Sequence, residues 1–207
     1  MFYLVKAPRL LQLLYPDCLW KVQTEKMKAY LTFDDGPHPE ITPYVLEQLA
    51  LFQAKATFFC IGEQVEKHPE VYQQIIDAGH RTGNHTYSHL NGWKTSDEKY
   101  FKDVEKAATV IKSNLFRPPY GKIRRFQLKI ITGERLGLKP VMWHVLSGDF
   151  DTSLKPEQCY LNVVKNTSPG SIIVFHDSEK AFPRLKDTLP KALKYLKDKG
   201  FSFDILD

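Results

Sequence analysis

The chain is poor in cysteine: three in 207 residues, Cys18, Cys60 and Cys159, with no C-x-x-C pair among them. An odd set cannot pair completely, and the spacing fits no zinc or iron–sulfur motif. Cys60 closes the apolar run ATFFC, the setting of a buried thiol. Reduced cysteines and a cytoplasmic location are expected. Long apolar runs are missing too, and nothing approaches the roughly 18 to 20 residues that a membrane-spanning helix needs. In the N-terminal stretch MFYLVKAPRLLQLLYPDCLWKV, Lys6, Pro8 and Arg9 cut the apolar runs, and no A-x-A-like cleavage site follows. Residues 1–27 are read as a segment packed on the domain, with membrane association through its leucines and tyrosines as the alternative. Basic blocks are also missing. The net charge of +5 is spread along the chain, without the dense patch that grips nucleic acid.

What is present is a soluble-protein composition, 43% hydrophobic and 26% charged, with no repeat, linker or low-complexity tract. This length supports one sizeable core, so residues 28–207 are read as a single domain. Strand-like runs are AYLTF (29–33), KATFFC (55–60), HRTGN (80–84), NLFR (114–117), PVMWHV (140–145), SIIVF (171–175) and FSFDI (201–205). Helical patterns cover 41–53, 64–78, 97–112, 123–136, 156–166 and 186–199. In the third of these, Tyr100, Val104, Ala107, Ala108 and Ile111 form one stripe behind a Ser96 cap. Gly79 and Gly200 stand where helices should end. Strands alternating with helices predict an α/β fold with a parallel sheet, either open and doubly wound or closed into a barrel. The usual eight-unit barrel takes about 250 residues, so a barrel here would be irregular.

The polar residues collect where strands end. Asp34 and Asp35, in LTFDDGP, follow the first strand; His85 follows the third; Arg117 closes the fourth. Asp149 lies past the fifth, and His176 with Asp177 follows the sixth. In parallel α/β proteins these carboxyl ends share one face, where active sites form. NHTYSH sets His85 and His89 four apart, one helical turn, so both imidazoles can face one point. Joined by either aspartate, they make a two-histidine, one-carboxylate metal set with an open position for water. Consecutive side chains diverge in an extended chain, so one aspartate reaches the metal and the other is left as a base. In FRPPYG (116–121) two prolines and a glycine fix the turn. Arg117 there would keep a nearby carboxylate ionised, and a backbone N–H such as that of Tyr120 can aim at a developing oxyanion. A carboxylate such as Asp149, paired with His176, would make that imidazolium an acid near neutral pH. A metal site, a base, an acid and an oxyanion donor together describe hydrolysis of an acyl bond.

These stretches, in this order, resemble the polysaccharide deacetylase family, metal-dependent carbohydrate esterases that include chitin and peptidoglycan deacetylases. The resemblance covers roughly residues 28–206 and rests on TFDDGP (32–37), HTYSH (85–89), RPPYG (117–121), WHVLSGDF (143–150) and IIVFHD (172–177). It implies a distorted (β/α) barrel of about seven strand–helix units, with residues 28–207 as the catalytic domain. By the resemblance Asp34 is the base, and Asp35, His85 and His89 hold one divalent ion whose bound water attacks. Zn²⁺ is expected, with Co²⁺, Ni²⁺ or Mn²⁺ as alternatives. Arg117 and Asp149 match the residues that orient and tune base and acid, Tyr120 the backbone oxyanion donor, and His176 the general acid. The implied partner is an oligo- or polysaccharide containing N-acetylglucosamine, acted on by a monomer that binds no nucleic acid. O-acetyl esters such as acetylated xylan are the alternative substrate, and a non-catalytic carbohydrate-binding domain is the rival role. The fourth stretch departs from the family pattern: His144 and Leu146 replace acids, and Phe150 replaces a tryptophan. Val174 stands where a leucine is usual. Phe150, Val174 and Pro119 are the expected walls of the substrate pocket.

Overall fold

Alternation along KAYLTFD sends Tyr30, Thr32 and Asp34 to one face and Ala29, Leu31 and Phe33 to the other. The computed structural model, which describes residues 3–207, makes this stretch the central strand, β1 (Lys28–Asp34). Around it run β2 (Ala56–Cys60), β3 (Arg81–Asn84), β4 (Leu115–Phe116), β5 (Lys139–Pro140), β6 (Val145–Leu146), β7 (Ile172–His176) and β8 (Ser202–Phe203). The sheet order is β5-β4-β3-β2-β1-β7-β6, all parallel, and β8 pairs with the start of β1. The helices are α1 (Arg9–Leu14), α2 (Ile41–Leu51), α3 (Gly62–Lys67), α4 (Pro69–Asp77), α5 (Asp97–Val110), α6 (Arg125–Thr132), α7 (Pro156–Asn166) and α8 (Phe182–Asp198). This is the α/β distorted barrel that the sequence predicts.

A parallel sheet is buried on both faces, so its strands read as continuous apolar runs. On the outer face Phe33 stacks between Phe58 and Phe175, with ring centroids 5.0 and 5.8 Å away, beneath the apolar stripes of α2 and α8. Burying a phenylalanine side chain contributes about 1.5–3 kcal/mol. On the inner face Tyr30, Phe59, Leu115, Val141 and Ile172 fill the interior. The site lies above them, at the carboxyl ends.

The fifth predicted strand, 140–145, is instead split in two. Its lower end, β5, pairs with β4, while its upper end, β6, pairs with β7, so one short segment changes neighbours and closes the barrel. The cause is a side chain. Arg117 donates to the carbonyls of Val141 (3.1 Å) and Met142 (2.9 Å), so these acceptors serve a guanidinium instead of a ladder. The N-terminal segment covers the resulting seam. The Leu19 N–H donates to Pro140 O (2.8 Å) and Leu19 O accepts from Met142 (2.8 Å), while Val5 O accepts from Leu146 (2.8 Å). Between these contacts α1 buries no side chain, and Leu10 and Leu13 are 69% and 76% exposed. No helix among the described residues is long and apolar enough to cross a membrane.

Four local expectations also change. The predicted helix 64–78 is two helices, because Pro69 has no N–H and turns His68 out of the helical region (φ −133°, ψ 56°). The last helix starts at Phe182 rather than at 186, with Pro183 in its first turn. Ser96 occupies the cap position of α5 but makes no side-chain cap bond, and Ala108 is only half-buried beside the stripe. Gly79 and Gly200 do end helices, in the left-handed region at φ 73° and 85°.

Candidate active site

Asp34 is the last residue of β1 and faces inward, directly opposite His176 of β7. The chain then kinks: Asp35 adopts φ 84°, which swings its carboxylate away from that of Asp34. The two neighbours therefore diverge through a left-handed residue, not through strand alternation. Of the five non-glycine residues at positive φ among the described residues, four (Asp35, Thr86, His89 and Tyr120) flank this site. Strain of this kind persists only where surrounding bonds over-determine the backbone.

His85 and His89 lie in a loop, not on a helical turn. Thr86 and His89 are left-handed, and Asp103 of α5 accepts the Tyr87 and Ser88 N–H groups, both at 2.9 Å, and the Ser88 hydroxyl. Asn84 completes the brace, accepting Thr86 N–H (2.8 Å) and donating to Val104 O. The outcome matches the expected convergence by a different route. His89 Nε2 lies 3.2 Å and His85 Nε2 3.8 Å from Asp35 Oδ1. Ligand atoms at zinc distances in a tetrahedron stand roughly 3.3 Å apart. Each other ring nitrogen is occupied: His85 Nδ1 meets Arg117 O (2.7 Å) and His89 Nδ1 meets Tyr120 Oη (3.1 Å). Because a carbonyl can only accept, His85 Nδ1 carries the proton and its Nε2 lone pair faces His89 Nε2 and Asp35, and the three groups can hold a metal ion. Burial pushes His85 down to about 4, favouring the neutral, ligating form. For Asp35, burial alone would raise the carboxyl, but its contact with His89 and the charge of His176 hold it well below the usual range.

Arg117 is fully buried and reaches across the barrel from the end of β4. Its Nη1 donates to Asp34 Oδ1 (2.6 Å) and Thr32 Oγ1 (2.8 Å), and its plane lies 4.0 Å over the Phe59 ring. Burial lowers its pKa, and the Asp34 charge offsets that. Thr32 was missed in the sequence, although its position two residues before Asp34 puts it on the same inner face.

On the opposite wall Asp149, wholly buried, grips His176 twice, accepting the backbone N–H and Nδ1, each at 2.8 Å. Arg184 of α8 fixes that loop by donating Nε to Asp149 O (2.6 Å). Burial opposes the imidazolium, yet the Asp149 charge and hydrogen bond outweigh it and lift His176 to about 9. Burial pushes the neighbouring Asp177 up to about 7.

The cleft between these groups has a volume of about 860 Å³, within the range of small-molecule sites. Val174, Leu146, Trp143 and Phe150 form its apolar end, with Phe150 5.1 Å from the His176 ring. Both prolines of the turn are buried, and Pro118 lines the cleft whereas the expected Pro119 does not. Two further groups escaped the sequence reading. The Tyr120 side chain, besides the backbone singled out, packs 4.6 Å from His89. Tyr3, arriving from the seam, packs its ring at a tilt 5.0 Å behind Phe150 and lines the cleft. Only a fold that returns residue 3 to residue 150 could have revealed it.

Comparison with known proteins agrees with this architecture. The family model described as polysaccharide deacetylase matches residues 21–140, so the fourth and fifth stretches lie beyond the matched span. A peptidoglycan-N-acetylglucosamine deacetylase of Bacillus cereus is 36% identical over 185 residues, 86% of this chain and 66% of that protein. A chitooligosaccharide deacetylase of Azorhizobium caulinodans is 34% identical over 76% of this chain and 77% of its own length. Among solved structures, the Bc1960 peptidoglycan N-acetylglucosamine deacetylase, in complex with 4-naphthalen-1-yl-N-oxidanyl-benzamide, superposes with a TM-score of 0.86 at 34% identity. That match covers 92% of this chain and 91% of that one. The chain belongs to the polysaccharide deacetylase family.

Proposed function

We propose that this protein hydrolyses the N-acetyl amide of N-acetylglucosamine residues in an oligo- or polysaccharide, releasing acetate and leaving the sugar amine. The observation that carries the reading is the register of β1 and β7. It sets Asp34 opposite His176 directly beside the Asp35, His85 and His89 cluster. Relatives named for peptidoglycan and for chitooligosaccharide share N-acetylglucosamine as the acetylated sugar, which supports the substrate class.

The residues divide the work as follows. A divalent ion at Asp35, His85 and His89, Zn²⁺ first, would polarise the acetyl carbonyl and acidify water at the site. Asp34, anchored through Oδ1 to Arg117, takes a proton from the attacking water. Arg117 keeps this carboxylate aligned. The Tyr120 backbone N–H serves the oxyanion that forms on the acetyl oxygen. As the C–N bond breaks, His176 Nε2 gives its proton to the departing amine, with Nδ1 held by Asp149. Val174, Leu146, Trp143 and Phe150 receive the acetyl methyl and exclude water.

The test is acetate release from N-acetylglucosamine oligomers, from peptidoglycan strands and from acetylated xylan, before and after chelation. Release from the first two, stopped by chelator and restored by Zn²⁺, is expected. Release from xylan alone, or release indifferent to chelation, overturns the reading.

A further inference from the structure

Asp177 follows the proposed acid yet turns away from it, toward the loop after β1. Its Oδ1 accepts the Gly36 N–H (3.1 Å), its Oδ2 accepts the Thr42 hydroxyl (2.5 Å), and its own N–H donates to Asp34 O (3.1 Å). Thr42 in turn accepts the His38 N–H (2.8 Å), and Gly36 O accepts from Ile61 (2.9 Å). The fit allows no side chain at position 36, where a Cβ would lie 2.1 Å from Asp177 Oδ2. Glycine in the DDGP turn is therefore set by the carboxylate that occupies the space.

Asp177 is 1% exposed, and its two side-chain partners are neutral. Burying a carboxylate without a cation is unfavourable, and well-packed apolar groups commonly serve stability better. Stability alone does not account for it. Its bonds instead tie Asp34 and Gly36, the two residues that flank Asp35, to the end of β7.

We propose that Asp177 is a positioning residue: it locks the Asp34–Asp35–Gly36 turn to β7, fixing the spacing between the base, the metal-side carboxylate and His176. The proposal rests on the functional reading above. A misplacement of about 1 Å at a reacting group can lower the rate 10²-fold, and loss of an outer partner of a ligand can weaken metal binding 10- to 100-fold.

The test compares Asp177→Ala, Asp177→Asn and Thr42→Val for kcat, KM and Zn²⁺ affinity, the last by competition with a chromophoric chelator. Asn keeps an acceptor for Gly36 and a polar partner for Thr42. Asp177→Ala is expected to lose about 10- to 100-fold in kcat and in Zn²⁺ affinity with little change in KM, and Asp177→Asn to recover most of both. Thr42→Val, which removes one arm, should show a smaller loss in the same two quantities. Should the alanine variant fail to fold, the Thr42→Val and Asn variants carry the test. Wild-type kcat and Zn²⁺ affinity in Thr42→Val and in a folded Asp177→Ala, or an Asn variant as defective as Ala, overturns the proposal. Wild-type protein that neither binds Zn²⁺ nor releases acetate fails the functional reading itself, a separate result.

Discussion

The run β3-β2-β1-β7 and the seam around residues 139–146 are built in different ways. In the first, four strands of four to seven residues pair in unbroken parallel register; β1 and β7 end in Asp34 and His176, and His85 directly follows β3. In the second, two two-residue strands and an N-terminal segment meet through single bridges at Lys6, Leu19 and Lys21. The proposed reacting groups Asp34 and His176 stand on the first, together with the cleft residue Val174, and the cleft walls Trp143 and Leu146 stand on the second. Precision follows ladder continuity: a side chain at the end of a paired strand inherits its register, whereas one on the seam inherits only local packing. Changes on the sheet side should therefore strike chemistry, and changes on the seam should strike stability and pocket shape.

The largest effect is expected for His85→Ala combined with His89→Ala. Removing two of three donors should abolish stoichiometric metal retention and reduce acetate release to background, checked by elemental analysis beside the activity assay. Metal retained in full would break the comparison at its strongest point.

Next comes the acid. With His176 lifted to about 9, kcat/KM should fall on the alkaline side as this proton is lost. Asp149→Asn removes the charge that supports the imidazolium, so the alkaline limb should move to lower pH, each unit being about 1.4 kcal/mol of lost preference. The limb belongs to a coupled site, so its midpoint is shared. The stability sign follows from the same shift. A value above the ordinary 6.5 means the charged pair contributes fully below about 6.5 and is lost as pH rises through about 9. An Asp149→Asn profile identical to wild type would sever this pairing. His176→Ala should also harm an amide more than an ester, whose alkoxide leaving group needs less help from an acid.

The seam should answer differently. Leu19→Pro removes the N–H that meets Pro140 O and leaves a carbonyl unpaired, a loss of about 1–3 kcal/mol in unfolding free energy. Turnover per folded molecule at 25 °C should stay near wild type. A large fall in kcat without a fall in stability would show that the seam takes part in chemistry. The smallest effect is expected for Tyr3→Ala, which takes away the ring behind Phe150. KM should rise a few-fold while kcat and Zn²⁺ content hold, read from steady-state kinetics and elemental analysis.

The same division explains what could be read in the sequence. Alternation and strand-end punctuation are enough to bring Asp34, Arg117, Asp149 and His176 to one face, and Asp34 and His176 belong to the unbroken run itself. The metal-side histidines were legible as a pair, but their loop was not. Its shape depends on Asp103, which sits on α5 and reaches back 15 and 16 residues to two backbone N–H groups. The seam was less legible still. PVMWHV reads as one strand because nothing local reveals that Arg117, some 24 residues earlier, claims two of its carbonyls. Tyr3 and the Asp177–Gly36 clamp are pairings across more than 140 residues, made only when β1, β7 and the N-terminus close the barrel. Pro69 is the exception, a local signal visible in the sequence that periodicity alone overrode.

The central claim is that two adjacent carboxylates do different work, and Asp34→Asn beside Asp35→Asn tests it most directly. Zinc content and acetate release are measured on both proteins. Asp34→Asn should keep stoichiometric metal and lose about 10²- to 10⁴-fold in turnover, because asparagine preserves shape but accepts no proton from water. Asp35→Asn should lose the metal itself, and activity with it. Equal metal loss and equal residual activity in the two variants would contradict the account.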